Sequence, residues 1–192
     1  MGEFVSGNRF LTRAEMETNA AYIWEYLGAR GWSLNAVAGM LGNMQTESTI
    51  NPAIWENLDE GNTSRGFGLV QWTPATKYRN WCSGMGIEPA HMDSALMRIE
   101  YELENKLQYY KTSAYPLTFA EFKVSDKDPY YLGMAFLRNY ERPAVSNQPK
   151  RGQQAEEWYT YLSGLPAPNR TKPPKRRNLS LLLMSQVIRG RK

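Results

Sequence analysis

The sequence predicts a mainly α-helical protein, an α+β fold in which helices dominate and extended structure is confined to one short region. Apolar residues recur at helical spacing through most of the first 163 residues, and helix-capping motifs precede several of these stretches. Only one Gly-rich segment favours extended backbone. Because 42% of the residues are hydrophobic and 12% are aromatic, the chain has enough apolar side chains to form a core.

Capping signals and apolar stripes predict the first two helices. Thr12 and Glu15 form a capping box, and apolar residues follow at helical spacing as far as Gly28. Ser33 is the next candidate cap. The second helix ends at the Asn-Pro pair of residues 51–52, and its stripe comprises Val37, Met40, Leu41 and Met44.

The rest of the body alternates one long loop with further helices. Residues 51–73 are rich in Asn, Gly and Asp, and within them only residues 66–72 (GFGLVQW) favour a strand or an extended turn. Five further helices are predicted: from Thr73-Pro74 to Gly84, from Met92 to Leu103, after the capping box Thr118/Glu121, from Asp128-Pro129 through Tyr140, and from Ala155 to Leu162.

Charge divides the chain into a body and a basic extension. The first 163 residues carry 15 basic and 19 acidic side chains, whereas residues 164–192 carry eight basic side chains and no acidic one. We therefore expect an N-terminal arm (1–10), a folded domain (11–163), a Pro-rich basic linker (164–178) and an apolar docking segment (179–192). A body without excess positive charge does not favour specific nucleic-acid binding.

Several classes of site are disfavoured by composition. The single cysteine, Cys82, has no internal disulfide partner, and the single histidine, His91, leaves too few ligands for a structural zinc site or a His-based metallopeptidase. We expect neither a metal nor another cofactor. The N-terminus lacks the apolar run of a secretory signal, and no stretch is long enough to predict a membrane span.

Glu47 is the most distinctive candidate for chemistry. It follows Met44 by three residues and Met40 by seven, so on a continuous helix it projects from the apolar stripe. An apolar setting and the negative end of the helix dipole both favour the neutral acid, which a glycosidase needs to protonate a leaving oxygen. By spacing alone, a solvent-facing glutamate at a helix end remains the alternative.

The residues around Glu47 carry a family resemblance. The segments ESTINP (47–52) and GFGLVQ (66–71) resemble the E-S-x-x-N-P and G-x-G-L-x-Q motifs of the lysozyme-like superfamily, which includes goose-type lysozymes and lytic transglycosylases. From residue 11 to residue 162, the chain is also similar to the lysozyme domain of tail-knob lysins of short-tailed Bacillus-type phages. The resemblance implies a two-lobed, lysozyme-like helical domain that acts on peptidoglycan.

The same resemblance implies roles for individual residues. Glu47 is the expected catalytic acid at the end of the helix that joins the two lobes. The saccharide groove is expected to involve Gly66, Gly68, Gln71, Trp72 and Tyr140. Each has a structural alternative: the glycines and Gln71 suit an ordinary Gly-rich hairpin, Trp72 suits core packing, and Tyr140 follows Leu132 and Phe136 at core spacing.

The second carboxylate of a hydrolase is left open by the sequence. Glu56, Asp59 and Glu60 lie in the loop that follows the acid, and we choose Asp59 and then Glu60 as catalytic candidates. If none of these acids is placed at the sugar, the substrate's own N-acetyl group can assist and give an anhydro product.

The expected function is a virion enzyme of the distal phage tail that cleaves the β-1,4 bond between N-acetylmuramic acid and N-acetylglucosamine during entry. It is expected to be made in the host cytoplasm and held by tail-knob subunits through residues 179–192. The alternatives are a lytic transglycosylase, a non-catalytic tail protein that binds glycan, and nucleic-acid binding by the basic extension.

Overall fold

Helices form most of the regular structure, which confirms the mainly α prediction. The computed structural model describes residues 2–169. Within them lie a 3₁₀ turn at Glu56–Leu58, a π-helical turn at Leu137–Glu141 and the helices α1 (Arg13–Gly28), α2 (Leu34–Ser48), α3 (Thr76–Met85), α4 (Met92–Glu104), α5 (Phe119–Lys123), α6 (Pro129–Phe136) and α7 (Pro149–Ser163).

Side-chain caps begin most of these helices where the sequence predicts them. Both capping boxes form: the Thr12 and Thr118 hydroxyls accept from the backbone N–H three residues later, and the matching glutamates bond back to the cap. Ser33 caps α2. The predicted start of α3 at residues 73–74 is wrong, because this helix begins at Thr76 without a side-chain cap.

Of the two forms predicted for residues 66–72, a strand or an extended turn, the structure shows a turn. Phe67 makes only isolated bridges, to Trp55 and to Trp72. Gly68 has φ +81° and Gln71 has φ 49°, and this left-handed backbone turns the segment back on itself. The Gly-rich region is therefore a compact loop rather than a sheet.

Helix α2 packs against both α6 and α7, which also pack against each other. Its apolar stripe is fully buried, as predicted. Two glycines on α2 let the neighbouring helices approach closely: a Cβ on Gly39 would lie 2.9 Å from the backbone of Leu132 on α6, and a Cβ on Gly42 would lie 2.7 Å from the backbone nitrogen of Ala155 on α7. This packing fixes the end of α2, which carries Glu47, against α7.

Both ends of the described chain pack on the body. The buried side chain of Asn19 bonds the backbone of Val5, and Asn51 bonds the carbonyl oxygens of Gly7 and Arg9, so residues of the predicted arm are held to the domain. Leu165 packs against the core.

Two predicted segments lie outside the described residues: residues 170–178 of the basic linker, and the docking segment (179–192). None of the helices between residues 2 and 169 has the length and apolar character needed to cross a membrane.

Candidate active site

A cavity of about 540 Å³ opens beside the end of α2, a volume suited to a small ligand or part of a larger one. Its wall combines carboxylates, amides and aromatic side chains from five separate parts of the chain. The lining residues are Phe10, Glu47, Ile54, Trp55, Glu56, Asn57, Val70, Gln71, Trp72, Thr73, Lys77, Gln108, Tyr140, Glu141 and Pro143.

Glu47 reaches this cavity from the last turn of α2. The helix ends at once beyond it, because Thr49 and Ile50 both adopt left-handed backbone and Ser48 bonds the carbonyl oxygens of Met44 and Leu69. The side chain of Glu47 is 21% exposed, and its Oε1 lies 2.6 Å from Nη1 of Arg151. The purely apolar setting expected for Glu47 is therefore wrong, since a buried guanidinium contacts it.

Arg151 is itself firmly held. Its Nε donates to Oε1 of Gln148 at 2.7 Å, and its Nη1 also donates to Oδ1 of Asn43 at 3.3 Å. Asn43 in turn donates to the carbonyl oxygen of Gly133 on α6. A planar guanidinium fixed on two sides orients the carboxylate that it pairs with. Arg151 therefore fixes the position of Glu47 at the cavity wall.

Trp72 and Tyr140 both hydrogen-bond the buried carboxyl group of Glu102. Indole Nε1 of Trp72 donates to Oε1 of Glu102 at 3.0 Å, the Tyr140 hydroxyl donates to Oε2, and Arg98 adds an ion pair at 2.8 Å. Burial raises the pKa of Glu102, and these three donors oppose that shift. Tyr140 also stacks on Phe136, with ring centroids 4.4 Å apart. Its hydroxyl thus bonds Glu102 rather than Glu47.

The Gly-rich loop supplies another wall through Gln71. The Gln71 amide nitrogen donates to the carbonyl oxygens of Gly68 and Ile54, so its N–H groups are engaged within the loop. Gly66 and Gly68 lie behind the wall rather than in it. A Cβ at Gly66 would lie 2.7 Å from Oε1 of Gln71, so this glycine gives the glutamine side chain its space.

Of the three loop acids, the structure brings Glu56 to the cavity. Its Oε2 accepts from the Gly66 backbone N–H at 2.8 Å, and its Oε1 pairs with Arg65 at 3.2 Å. Asp59 and Glu60, the candidates chosen from the sequence, are exposed and do not belong to the lining. Asp59 instead accepts from the side chain of Asn62 at 2.7 Å.

Glu141 is a lining carboxyl group that sequence reasoning missed. It ends the π-helical turn, and the Arg142 N–H bonds the Leu137 carbonyl oxygen five residues earlier at 2.8 Å. Its Oε1 is buried and finds no hydrogen-bond donor among the described residues. The only sequence signal was its place directly after Tyr140.

The geometry thus unites a helix-end carboxylate, two further carboxyl groups and an aromatic wall, the kind of arrangement that acid-catalysed sugar cleavage uses. The family model for phage tail lysozymes matches residues 18–162, about three quarters of the chain. The chain belongs to the phage tail lysozyme family. Every lining residue except Phe10 falls within the matched range, and so do Arg151 and Glu102.

A curated relative supports this membership. Morphogenesis protein 1 of Bacillus phage B103 is 58% identical over 161 residues, which covers 84% of this chain and 44% of that protein. The chain therefore spans less than half the length of this relative. Membership in a family of tail lysozymes, together with similarity to a phage morphogenesis protein, associates the chain with the virion.

Proposed function

We propose that the chain is a peptidoglycan glycosidase of the phage tail that cleaves the β-1,4 bond between N-acetylmuramic acid and N-acetylglucosamine. The observation that carries this proposal is the placement of Glu47 at the cavity wall, within the range matched by the tail lysozyme family. Trp55 and Trp72 line the same cavity, but each is less than a tenth exposed and packs on a core ring, so they form a fixed apolar wall rather than free stacking platforms.

Glu47 acts as the general acid in this proposal. It gives its proton to the glycosidic oxygen as the bond to the anomeric carbon breaks, and Arg151 keeps its carboxyl group aimed at the cavity. Glycan strands freed of their peptide stems provide a direct test, because only a glycosidase creates new reducing or anhydro ends on them. Intact stem-free glycan after prolonged incubation would contradict the proposal.

Glu56 is our choice for the second carboxylate, because it is the loop acid that lines the cavity. We expect Glu56→Gln to lower kcat by about 100-fold with little change in KM, since a carboxylate that stabilises positive charge at the anomeric carbon acts in the transition state. The double variant Asp59→Asn/Glu60→Gln serves as the matched control and should remain within about twofold of wild type.

Unchanged turnover of Glu56→Gln would support catalysis without Glu56 as the second carboxylate. If Glu56→Gln keeps its turnover, the substrate's N-acetyl group assists, and the enzyme is a lytic transglycosylase with anhydro products. If the Asp59/Glu60 double variant loses turnover and Glu56→Gln does not, Asp59 or Glu60 is the second carboxylate, as chosen from the sequence.

We also propose that the C-terminal extension serves attachment to tail-knob subunits, so that the enzyme opens the host wall during entry. Residues 179–188 include seven apolar side chains, which are costly to expose without a partner. We expect a chain that ends at Asn169 to cleave glycan at the full-length rate. The truncation retains Leu165, which packs on the core.

Specific activity of the two lengths on purified peptidoglycan checks this expectation. Equal rates, together with loss of incorporation into assembled particles, support attachment. A severalfold rise on truncation would contradict it and indicate that the extension covers the cavity.

A further inference from the structure

The turn that carries Glu141 is fixed by hydrogen bonds, yet one oxygen of the Glu141 carboxyl group lacks a partner among the described residues. The π-helical turn that carries it is held by Asn139, whose side chain bonds the backbone and hydroxyl of Thr112 and also reaches Tyr109 and Tyr115. Gln108 donates to the Tyr140 carbonyl oxygen at 3.0 Å. The turn is therefore fixed while Oε1 of Glu141, at its end, accepts no hydrogen bond from the described residues.

Glu141 and Glu47 line the same cavity, and the charged groups that act on Glu141 come from three helices. Glu47 on α2 and Glu102 on α4 are acidic, and Arg151 on α7 is basic. Burial, and then the negative charge of Glu47, raise the pKa of Glu141 well above its ordinary value, whereas Arg151 opposes that rise. One guanidinium at this place compensates one carboxylate, and it is already paired with Glu47.

We propose that Glu47 and Glu141 hold one proton between them, and that Glu141 stores the proton which Glu47 passes to the glycosidic oxygen. This inference rests on the proposed glycosidase function. Glu141 is then a positioning residue that acts through Glu47. Its neutral form allows Glu47 to pair with Arg151 at rest without leaving a second negative charge buried beside it.

The proton balance closes over one hydrolytic cycle. The stored proton moves from Glu141 to Glu47 and on to the leaving oxygen, which keeps the electron pair of the broken bond to the anomeric carbon. The water that adds to this carbon supplies a hydroxyl group to the sugar and returns its other proton to the pair. No metal or further reactant is needed.

The pH profile of Glu141→Gln tests the proposal. In the wild type, burial and the charge of Glu47 raise the pKa of Glu141, so Glu141 keeps its proton to higher pH. Glu141→Gln removes this titrating group, so we expect the alkaline limb of the profile, where kcat falls at high pH, to begin about one pH unit lower than in the wild type. At pH values below that fall, kcat of the variant should return toward the wild-type value. Glu141→Asp keeps a titratable group and should move the limb back toward wild type.

An exposed glutamate on α7, Glu156, provides the control, and Glu156→Gln should leave the profile unchanged. An unmoved limb in Glu141→Gln, an equal loss of turnover at every pH, or the same profile for the Asp and Gln variants would overturn the proposal.

Infrared spectroscopy separates this inference from the proposed function, because it needs no turnover. We expect the wild type at neutral pH to show a carboxylic-acid carbonyl band that disappears in Glu141→Gln and remains in Glu156→Gln. Absence of such a difference would overturn the stored proton while leaving Glu47 as the acid. Full activity of Glu47→Gln would instead remove Glu47 from the acid role, and intact stem-free glycan would overturn the glycosidase assignment.

Discussion

We expect Glu47→Gln to lower glycan cleavage by about 1,000-fold while the protein still folds and binds glycan. The amide has the shape of the acid, and its oxygen can still accept the hydrogen bond from Arg151, but it has no proton to give to a leaving oxygen. The measurement is the rate of reducing-end release from purified peptidoglycan, together with sedimentation of the variant with the same material.

Gln45 lies on the same helix as Glu47 but is not a suitable position for a control substitution, because its side chain accepts a hydrogen bond from Trp158. Glu156→Gln makes the same chemical change on an exposed position and should keep the wild-type rate. Retention of more than about a tenth of wild-type turnover by Glu47→Gln would remove Glu47 from the acid role.

The largest effect on stability is expected from Gly42→Ala. A Cβ at this position would lie 2.7 Å from the backbone nitrogen of Ala155 and closer still to the carbonyl oxygen of Arg151. Because both are backbone atoms, α2 and α7 must separate, and we expect a loss of about 2–3 kcal/mol in the free energy of unfolding. Activity should also fall, since Arg151 on α7 would move away from Glu47.

Gly84→Ala is the matched control for this substitution. Gly84 lies near the end of α3, and a Cβ there would meet no atom within 4 Å. The alanine should therefore stabilise the protein slightly, by up to about 1 kcal/mol, through lower backbone entropy in the unfolded chain. Urea unfolding of both variants checks the pair, and equal stabilities would contradict the close packing of α2 on α7.

Helix starts were predictable where a side chain close in sequence supplies the cap. The capping boxes at Thr12 and Thr118 form because each needs only residues within one helical turn. The helix predicted from residue 128 through Tyr140 also forms, although its last turn widens to a π-helical one after Phe136. Periodicity does not distinguish these two helical forms over five residues.

The Gly-rich segment was left open between a strand and an extended turn, because local sequence does not decide between them. An alternation of Gly, Phe, Leu, Val and Trp fits an extended strand locally, but between residues 2 and 169 Phe67 makes isolated bridges, to Trp55 and Trp72, rather than a strand ladder. The loop is stabilised by distant contacts instead, including the bond from Ser48 to the Leu69 carbonyl oxygen and that from Trp72 to Glu102. Such contacts depend on how the helices pack.

Within the candidate site, the sequence predicted Glu47 but not the groups that reach it from distant parts of the chain. The position of Glu47 on α2 follows from helical spacing and from the motif that contains it. Its partner Arg151 lies about a hundred residues away, and Glu141 reaches the same place from a third segment. Neither stands in a sequence pattern that signals chemistry, and only the close packing of α2, α6 and α7 brings these groups together.

Mass spectrometry of the fragments released from purified peptidoglycan tests the glycosidase assignment most directly. The proposed function predicts soluble saccharides that end in N-acetylmuramic acid, reducing after hydrolysis or anhydro by the transglycosylase route, and Glu47→Gln should release almost none of them. Release of peptides or of amidase products from glycan strands that remain intact would contradict cleavage of the β-1,4 bond.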